Sequence, residues 1–251
     1  MATSREVVAA NRQVFGSVAT EGADFVCHYC LGPVNSFPTC WSCNELRKQG
    51  APSALAGKVV PMTAALSPSL WYSMLQTYKT VHREHGGILG ALASAFLTAH
   101  ERNLAHLLGG EPTLLTIVPS KRAIPLDRQP LRSVLAGGPP LPAPFVPVLR
   151  HLEGQTLGRR QYRPEIFAPC DGIDLANQRI LLIEDTWVTG ATAVSAAGAL
   201  LELGAAAVAL LPIARCVDGS FWREQHPYRA AMSASYDLTR WPRAVGGGPR
   251  I

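Results

Sequence analysis

The sequence lacks long charged segments, and its first residues lack a long apolar run. Only 16% of the 251 residues are charged, whereas 47% are hydrophobic. This balance is typical of a well-folded globular chain, so we expect disorder only at the ends and in loops. Residues 1–12 are small or polar and indicate neither a signal peptide nor a membrane span. We therefore expect a cytoplasmic protein without membrane contact.

The sequence also lacks a basic cluster and an internal repeat. Its formal net charge of +5 is consistent with an anionic ligand, such as a phosphate or a nucleic acid. Because the basic residues are scattered along the chain, they give only weak support to a nucleic-acid surface. The length allows one large domain, or one domain with an appendage.

Cysteine is scarce, but four of the six cysteines form two closely spaced pairs. A reducing compartment disfavours disulfides, and two Cys-x-x-Cys pairs supply four thiolates that can close around one tetrahedral ion. We predict a structural zinc site; an iron–sulfur cluster or a redox-active cysteine pair is the alternative. His28 is interpreted as a bystander, because four thiolates already fill the coordination shell. The predicted ligands are Cys27, Cys30, Cys40 and Cys43.

Residues 179–192 carry the most specific pattern in the chain. Residues 180–183 are apolar without alternation, which predicts a parallel strand buried on both faces. Two acids follow at its carboxyl end, then a polar loop whose only glycine is Gly190, and then a small-residue run with helical character. Such a strand, loop and helix can bind phosphate, because unpaired N–H groups and the helix dipole favour an anion.

The two acids, Glu184 and Asp185, complete a candidate sugar-phosphate site. Carboxylates beside an anion-binding loop can accept hydrogen bonds from vicinal sugar hydroxyls, or hold a divalent cation through water. We assign them the catalytic role. The alternative is an ordinary turn between strand and helix, with the acids facing solvent. The predicted phosphate-binding residues are Thr186, Trp187, Val188, Thr189, Gly190, Ala191 and Thr192.

A second predicted strand ends in a turn with two cations. Residues 113–118 have the pattern of a strand, and the following Pro-Ser-Lys-Arg turn contains Lys121 and Arg122. Cations neutralise a pyrophosphate group, and a guanidinium can bind it in a bidentate way. We predict that Lys121 and Arg122 bind pyrophosphate, with two solvated side chains as the alternative.

Together these motifs resemble a known family. The apolar run, two acids, three variable residues and Thr-Gly are similar to the phosphoribosyl pyrophosphate signature of type I phosphoribosyltransferases. The tetracysteine segment, Tyr78-Lys79 at the end of an early helix, and Val118-Pro119 after a strand look like the ComF-like phosphoribosyltransferase family. The likeness spans roughly residues 27–215. Its middle part carries a similar Arg, Gln, Arg and aromatic order in Arg150, Gln155, Arg160, Arg163 and Phe167.

The resemblance implies a fold and an activity. The implied fold is the type I phosphoribosyltransferase fold, an α/β arrangement of about five parallel strands flanked by helices, with a small amino-terminal zinc-binding module. In the family the acids contact the ribose hydroxyls, the following loop binds the 5-phosphate, and a loop after the first core strand contacts pyrophosphate. We expect a glycosyltransferase of nucleotide metabolism that binds phosphoribosyl pyrophosphate and magnesium and transfers ribose 5-phosphate to an unidentified nitrogen acceptor. The resemblance leaves open whether the protein forms a homodimer.

The chain also departs from the family in two places. Purine-salvage enzymes of this fold place an aspartate before the Thr-Gly, where this chain has Val188, so we do not expect a purine-salvage reaction that uses this aspartate. Residues 125–129 replace a common Arg-Gly-x-Asn-Gln run. A different class of function therefore stays open, either a non-catalytic sensor of nucleotides or phosphoribosyl pyrophosphate, or a DNA-uptake (competence) adaptor. Against the adaptor, the cysteine segment carries only Arg47 and Lys48 as basic residues.

We divide the chain into an amino-terminal helix with the zinc module (residues 1–57), a phosphoribosyltransferase-like core (58–217) and a partly disordered extension (218–251). Predicted helices cover residues 5–18, 69–79 and 86–109, and predicted strands cover 59–62 and 206–214. Pro212 indicates an edge position, or the end of the second strand. The Pro-rich residues 136–147 exclude a helix and an inner strand, and form either the base of a mobile lid or a connection.

Overall fold

The computed structural model describes residues 2–120, 129–136, 140–220 and 224–243. The strands within these ranges are β1 (Thr63–Ser67), β2 (Leu114–Ile117), β3 (Leu149–His151), β4 (Phe167–Pro169), β5 (Arg179–Trp187) and β6 (Ala207–Asp218). Four of them form a parallel sheet in the order β1, β6, β5, β2, while β3 and β4 pair antiparallel. The predicted α/β class is confirmed, with four sheet strands among the described residues instead of about five.

Helices flank this sheet. They are α1 (Ser4–Asn11), α2 (Trp41–Lys48), α3 (Leu70–Thr77), α4 (His85–Ala99), α5 (Glu101–Leu108), α6 (Pro130–Ala136), α7 (Ala191–Glu202) and α8 (Pro227–Ser233). Short 3-10 turns lie at Ser53–Leu55 and Pro164–Ile166. In the part of the chain that the structure describes, none of the helices is long and apolar enough to cross a membrane.

Strand β5 is buried on both faces, as the unbroken apolar run predicts. Leu181 and Ile183 belong to one buried cluster together with residues of α3, α4 and α5. Ile180 and Leu182 belong to the other, with residues of α7 and three of the paired cysteines. Full burial of such a side chain stabilises the fold by about 1.5–3 kcal/mol. The cysteine segment therefore packs on the α7 side of the sheet.

Both predicted positions for Pro212, at a sheet edge or at the end of its strand, were wrong. Strand β6 extends to Asp218 and lies between β1 and β5. Pro212 pairs in register with Glu184, and its carbonyl accepts a hydrogen bond from the Met62 N–H at 2.8 Å. A backbone N–H at position 212, which proline lacks, would point to the same side as this carbonyl. The segment on that side is the irregular stretch before β1. An inner strand tolerates the proline there, because no regular ladder is interrupted.

Three predicted elements have different boundaries. The first helix ends at Asn11 instead of residue 18, because Gly16 is needed to pair with Ala64 beside the sheet. The strand predicted at 59–62 begins only at Thr63; before that point the Val60 and Met62 N–H groups donate to β6, but Pro212 has no N–H to return a bond. The long helix predicted at 86–109 breaks at His100, although the apolar stripe continues across the break.

The Pro-rich segment covers an edge of the sheet in its described part. Phe145 forms a parallel bridge with Leu115 of β2, and the Leu115 N–H donates to the Pro144 carbonyl at 2.9 Å. Residues 140–147 therefore connect two elements along the outer side of β2, consistent with the exclusion of an inner strand. Residues 137–139 lie outside the described part of the chain.

Candidate functional site

The acid pair lies at the carboxyl end of β5, where the structure surrounds Asp185 with donors. Asp185 is buried, with only 3% of its surface exposed. The Tyr78 hydroxyl donates to its Oδ2 at 2.8 Å, and the Lys79 ammonium forms an ion pair with the same oxygen. The Thr186 hydroxyl donates to Oδ1 at 3.2 Å. The end of α3 and the end of β5 thus meet at one carboxylate.

The two neighbouring acids have opposite pKa shifts. Burial raises the pKa of Glu184 well above its usual value, and the negative charge of Asp185 adds to the effect. Burial acts in the same direction on Asp185, but Lys79, Glu184 and Tyr78 outweigh it, so the pKa of Asp185 is lowered. Burial, with the Asp185 charge, raises the pKa of Tyr78 and keeps it a hydroxyl donor. The pair therefore holds one proton, on Glu184, more readily than two negative charges.

The loop after β5 is shorter than the predicted seven residues. Thr186 and Trp187 still belong to β5, and Ala191 and Thr192 already belong to α7. Gly190 precedes the helix with a φ of 83°, a conformation that only glycine adopts without strain. A Cβ atom at Gly190 would overlap the Trp187 ring, which lies beneath the loop. The first N–H groups of α7 have no partner within the helix, and they begin at this glycine.

A cleft of about 560 Å³ joins the acid pair to this loop. Six of the seven predicted phosphate-binding residues line it; Trp187 does not, because its indole is buried under Gly190. Ser120 lines the cleft as well, but Lys121 and Arg122 lie outside the described residues. Among the described lining residues, the cationic side chains are Lys79 and Arg159.

Arg159 reaches the cleft because its segment crosses over α7. The Arg163 N–H donates to Ser195 Oγ at 2.9 Å, and Tyr162 packs so closely on Gly198 that a Cβ there would overlap its hydroxyl. No sequence pattern indicates Arg159, and Tyr78 and Lys79 enter the sequence-based prediction only through the family resemblance. Tyr78 contacts an acid 107 residues later in the chain, and no local pattern reports a contact over that separation.

The four paired cysteines come together, as predicted. Their sulfur atoms all lie within 4.8 Å of one another, and Cys30 Sγ is 3.8 Å from Cys40 Sγ. Four sulfurs at about 2.3 Å from one tetrahedral ion are about 3.8 Å apart. A disulfide needs about 2.05 Å, so these thiols are not bonded. The cluster fits a metal ion and is compatible with zinc.

Local structure explains how the cysteines meet. The Cys27 N–H donates to the Gly32 carbonyl at 2.8 Å and closes a tight turn around the first pair. Cys40 precedes α2, and Cys43 lies in its first turn. His28 is exposed and outside the cluster, in agreement with its interpretation as a bystander. The four thiols form hydrogen bonds with one another. Those with the other three cysteines lower the pKa of Cys30 and raise the pKa of Cys43.

Two buried arginines lie against the cysteine segment, and no local sequence pattern indicates either role. Arg243 donates to the carbonyls of His28 and Tyr29 at 3.0 and 2.6 Å. Arg215 packs on Gly32 and donates to the carbonyls of Trp187, the last residue of β5, and Val188, the first residue of the loop. Both are at least 94% buried, with 4% and 6% of their surfaces exposed. A second group that could hold a metal, His82, Glu84 and His85, lies on an open turn.

Comparison with known proteins finds no matching family model and no matching curated protein.

Proposed function

We propose that the cleft binds a ribose phosphate and that the protein is a phosphoribosyltransferase-like member of the ComF-like family. The observation that carries the proposal is the single cleft shared by the acid pair, the open N-terminus of α7 and two cations. A phosphate fits the N–H groups at a helix start that have no partner within the helix. Glu184 and Asp185 then lie along the same cleft, where sugar hydroxyls would follow the phosphate.

The acid pair offers complementary partners to a vicinal diol. Asp185, ionised and held by Tyr78 and Lys79, accepts a hydrogen bond from one hydroxyl. Glu184, which keeps its proton more readily, accepts through one oxygen and can donate through the other. In the proposed reaction, positive charge develops on the sugar ring, and the Asp185 charge favours it. Most of the rate acceleration would come from positioning and electrostatics.

The departing pyrophosphate needs cations. Lys79 and Arg159 line the described cleft, and Lys121 and Arg122 follow Ser120 in the sequence. Magnesium, when bound with phosphoribosyl pyrophosphate, would neutralise part of the same charge. Because Tyr78 and Lys79 already occupy Asp185 Oδ2 and Glu184 keeps its proton more readily, the ligand's own phosphate oxygens would be the main partners of that ion. A zinc ion at the four cysteines has no open position and would be structural.

The test is a comparison of ribose 5-phosphate with 2-deoxyribose 5-phosphate by titration calorimetry. The intact protein should bind ribose 5-phosphate about tenfold more tightly, because one hydroxyl contact contributes about 1.4 kcal/mol. Asp185→Asn should abolish this preference, whereas Asp174→Asn on the surface should keep it. Absence of binding by the intact protein to either sugar phosphate and to phosphoribosyl pyrophosphate with magnesium would refute the proposal. Binding without pyrophosphate release across a panel of bases and amines would favour the sensor.

One observation favours a nucleic-acid adaptor as a second candidate. Phe37 and Trp41, beside the cysteines, have 68% and 66% of their surfaces exposed, and the Arg160 guanidinium lies 4.0 Å from the centre of the Trp41 ring. Exposed aromatic rings with arginine are a common platform for single-stranded bases. Binding of a single-stranded oligonucleotide that weakens with salt, and is lost in Trp41→Ala, would support this candidate.

A further inference from the structure

Arg215 lies between the candidate anion loop and the cysteine cluster. On β6 it pairs in register with Trp187 of β5 and with Ala64 of β1. Its Nη1 donates to the carbonyls of Trp187 and Val188 at 3.0 and 3.2 Å, and also to the Cys216 carbonyl. The first two carbonyls belong to the residues that lead into Gly190 and α7. Arg215 therefore holds the backbone from which the loop departs.

The other side of the guanidinium faces the first cysteine pair. A Cβ atom on Gly32 would lie 2.6 Å from Arg215 Nε and closer still to Nη2, so the guanidinium packs flat on the Gly32 backbone. The Gly32 carbonyl accepts the hydrogen bond that closes the turn around Cys27. Within the described residues, the buried Arg215 Nε has no hydrogen-bond partner. Only glycine fits at this contact, because a larger residue would displace the arginine.

The cysteine cluster also supplies the negative charge near Arg215. A buried guanidinium is costly unless an opposite charge lies nearby. Burial opposes the charged form of Arg215, but Cys30 and Cys40, with a contribution from Tyr228, outweigh it and raise its pKa. Four thiolates around one zinc ion carry a net charge of about −2. A filled metal site would therefore hold the guanidinium more firmly than four neutral thiols.

We propose that Arg215 is a positioning residue that couples occupancy of the cysteine metal site to anion binding at the loop after β5. The bound metal fixes the turn at Gly32 and the charge that faces the guanidinium. The guanidinium in turn fixes the Trp187 and Val188 carbonyls, so that the first N–H groups of α7 stay directed at the cleft. Loss of the metal releases the loop and weakens anion binding. This inference rests on the proposed function, since it requires a ligand at the loop.

Arg243 provides a matched control within the same chain. It is as deeply buried as Arg215 and binds the same cysteine segment, through the carbonyls of His28 and Tyr29. Its remaining described partners are the Val59 carbonyl and Glu21, and none of them belongs to the loop. Substitution of Arg243 therefore disturbs the cysteine segment without removing a contact to the loop.

The experiment measures binding of ribose 5-phosphate by the full-length, zinc-loaded chain as intact protein, Arg215→Met, Arg215→Lys and Arg243→Met. We expect Arg215→Met to lower the affinity at least tenfold with zinc retained. The affinity of Arg215→Lys should lie between those of the intact protein and Arg215→Met, because one ammonium cannot reach both carbonyls and Gly32. Zinc-loaded Arg243→Met should stay within twofold of the intact protein. Competition with a chelator, with and without ribose 5-phosphate, then measures zinc affinity.

The thermodynamic linkage between zinc binding and ribose 5-phosphate binding is a readout that a merely structural arginine would not change. If zinc tightens ribose 5-phosphate binding by some factor, ribose 5-phosphate must tighten zinc binding by the same factor. We expect that factor to exceed fivefold in the intact protein and in Arg243→Met, and to approach one in Arg215→Met. Should Arg215→Met fail to fold, Arg215→Lys is judged by the same criterion, with a reduced factor expected.

The outcomes separate this inference from the proposed function. No binding of ribose 5-phosphate by the intact protein refutes both. Binding that is equal in the intact protein and in Arg215→Met, or a linkage factor near one in the intact protein, refutes the coupling and leaves the ribose-phosphate site standing. An equal loss of coupling in Arg215→Met and Arg243→Met also refutes it, because the effect would then follow from general damage to the cysteine segment.

Discussion

Glu184 and Asp185 are neighbours in sequence with opposite electrostatic surroundings. Lys79 and Tyr78 both contact Asp185, whereas burial and the adjacent negative charge dominate at Glu184. Two carboxyl groups whose pKa values move apart can act as acceptor and donor in one site. The difference arises at the end of α3. Because Lys79 lowers the pKa of both acids and each acid shifts the pKa of the other, a substitution there should change both pKa values.

At neutral pH, Glu184 should make the folded protein less stable than a residue that cannot ionise. Its folded pKa lies above the ordinary value of 4.5, so between these two values the native state binds more protons than the unfolded state. The free energy of unfolding then falls as pH rises through that window. Glu184→Gln should reduce this decline, measured by urea unfolding from about pH 5 to about pH 8 without ligand. The exposed Glu153→Gln should leave the slope unchanged; an unchanged slope in Glu184→Gln would contradict the assignment.

Arg159 and Arg160 are adjacent residues with different surroundings. Arg159 lines the cleft, while Arg160 stacks on Trp41 and donates to Ser42 Oγ at 3.1 Å. Arg159→Ala should weaken phosphoribosyl pyrophosphate binding about tenfold, since a hydrogen bond to a charged group contributes about 1.5–3 kcal/mol. Arg160→Ala should change it less than twofold. Equal effects of the two substitutions in calorimetry would place the ligand elsewhere.

At the scale of the element, the turn from β5 into α7 depends on Gly190. Alanine there would adopt a left-handed conformation, which costs about 1–2 kcal/mol, and would also overlap the Trp187 ring. Gly204 at the other end of α7 has a comparable φ of 98°, with its nearest neighbour at 3.7 Å. Urea unfolding should therefore show a larger loss for Gly190→Ala than for Gly204→Ala, and only the former should lose ribose 5-phosphate affinity. Similar losses of unfolding free energy in the two variants would mean that the Trp187 ring moves to make room for the added Cβ atom.

The sequence predicts the elements of this region well, because their signals are local. An unbroken apolar run marks β5, Gly204 ends α7, and Cys-x-x-Cys spacing brings the sulfurs together. The failures involve distant contacts. Pro212 is tolerated in an inner strand because of the irregular segment 150 residues earlier, and the first helix stops early because Gly16 pairs with Ala64.

The site shows the same division between local and distant signals. The acids and most of the loop residues were predicted from one short stretch, and they do line one cleft. Lys79, Arg159 and Arg215 could not be assigned roles, since the residues that they approach in the fold lie far away in sequence. The assignment of Lys121 and Arg122 to pyrophosphate stays a prediction, because they lie outside the described residues.

For the whole molecule, the cysteine cluster should contribute to stability beyond its own segment. It shares a buried cluster with β5 and α7, and two buried arginines bind its backbone. Cys43→Ser should lower the metal content and reduce the free energy of unfolding by at least about 3 kcal/mol, since structural zinc contributes on the order of 10 kcal/mol. Cys170→Ser, at a partly exposed lone cysteine, should change neither. Metal analysis and urea unfolding of reduced protein check both; full metal content in Cys43→Ser would contradict a four-thiolate site.

The pairing of β1 with β6 bears on the order in which the chain folds during synthesis. The Thr63 hydroxyl donates to the Ile213 carbonyl 150 residues later, and Arg243 reaches Tyr29 across 214 residues. The first strand and the cysteine turn thus leave the ribosome long before their partners exist. Contacts this distant form slowly, because a large loop must close first. A nascent chain with its apolar β1 edge uncovered is exposed to aggregation until β6 has been synthesised.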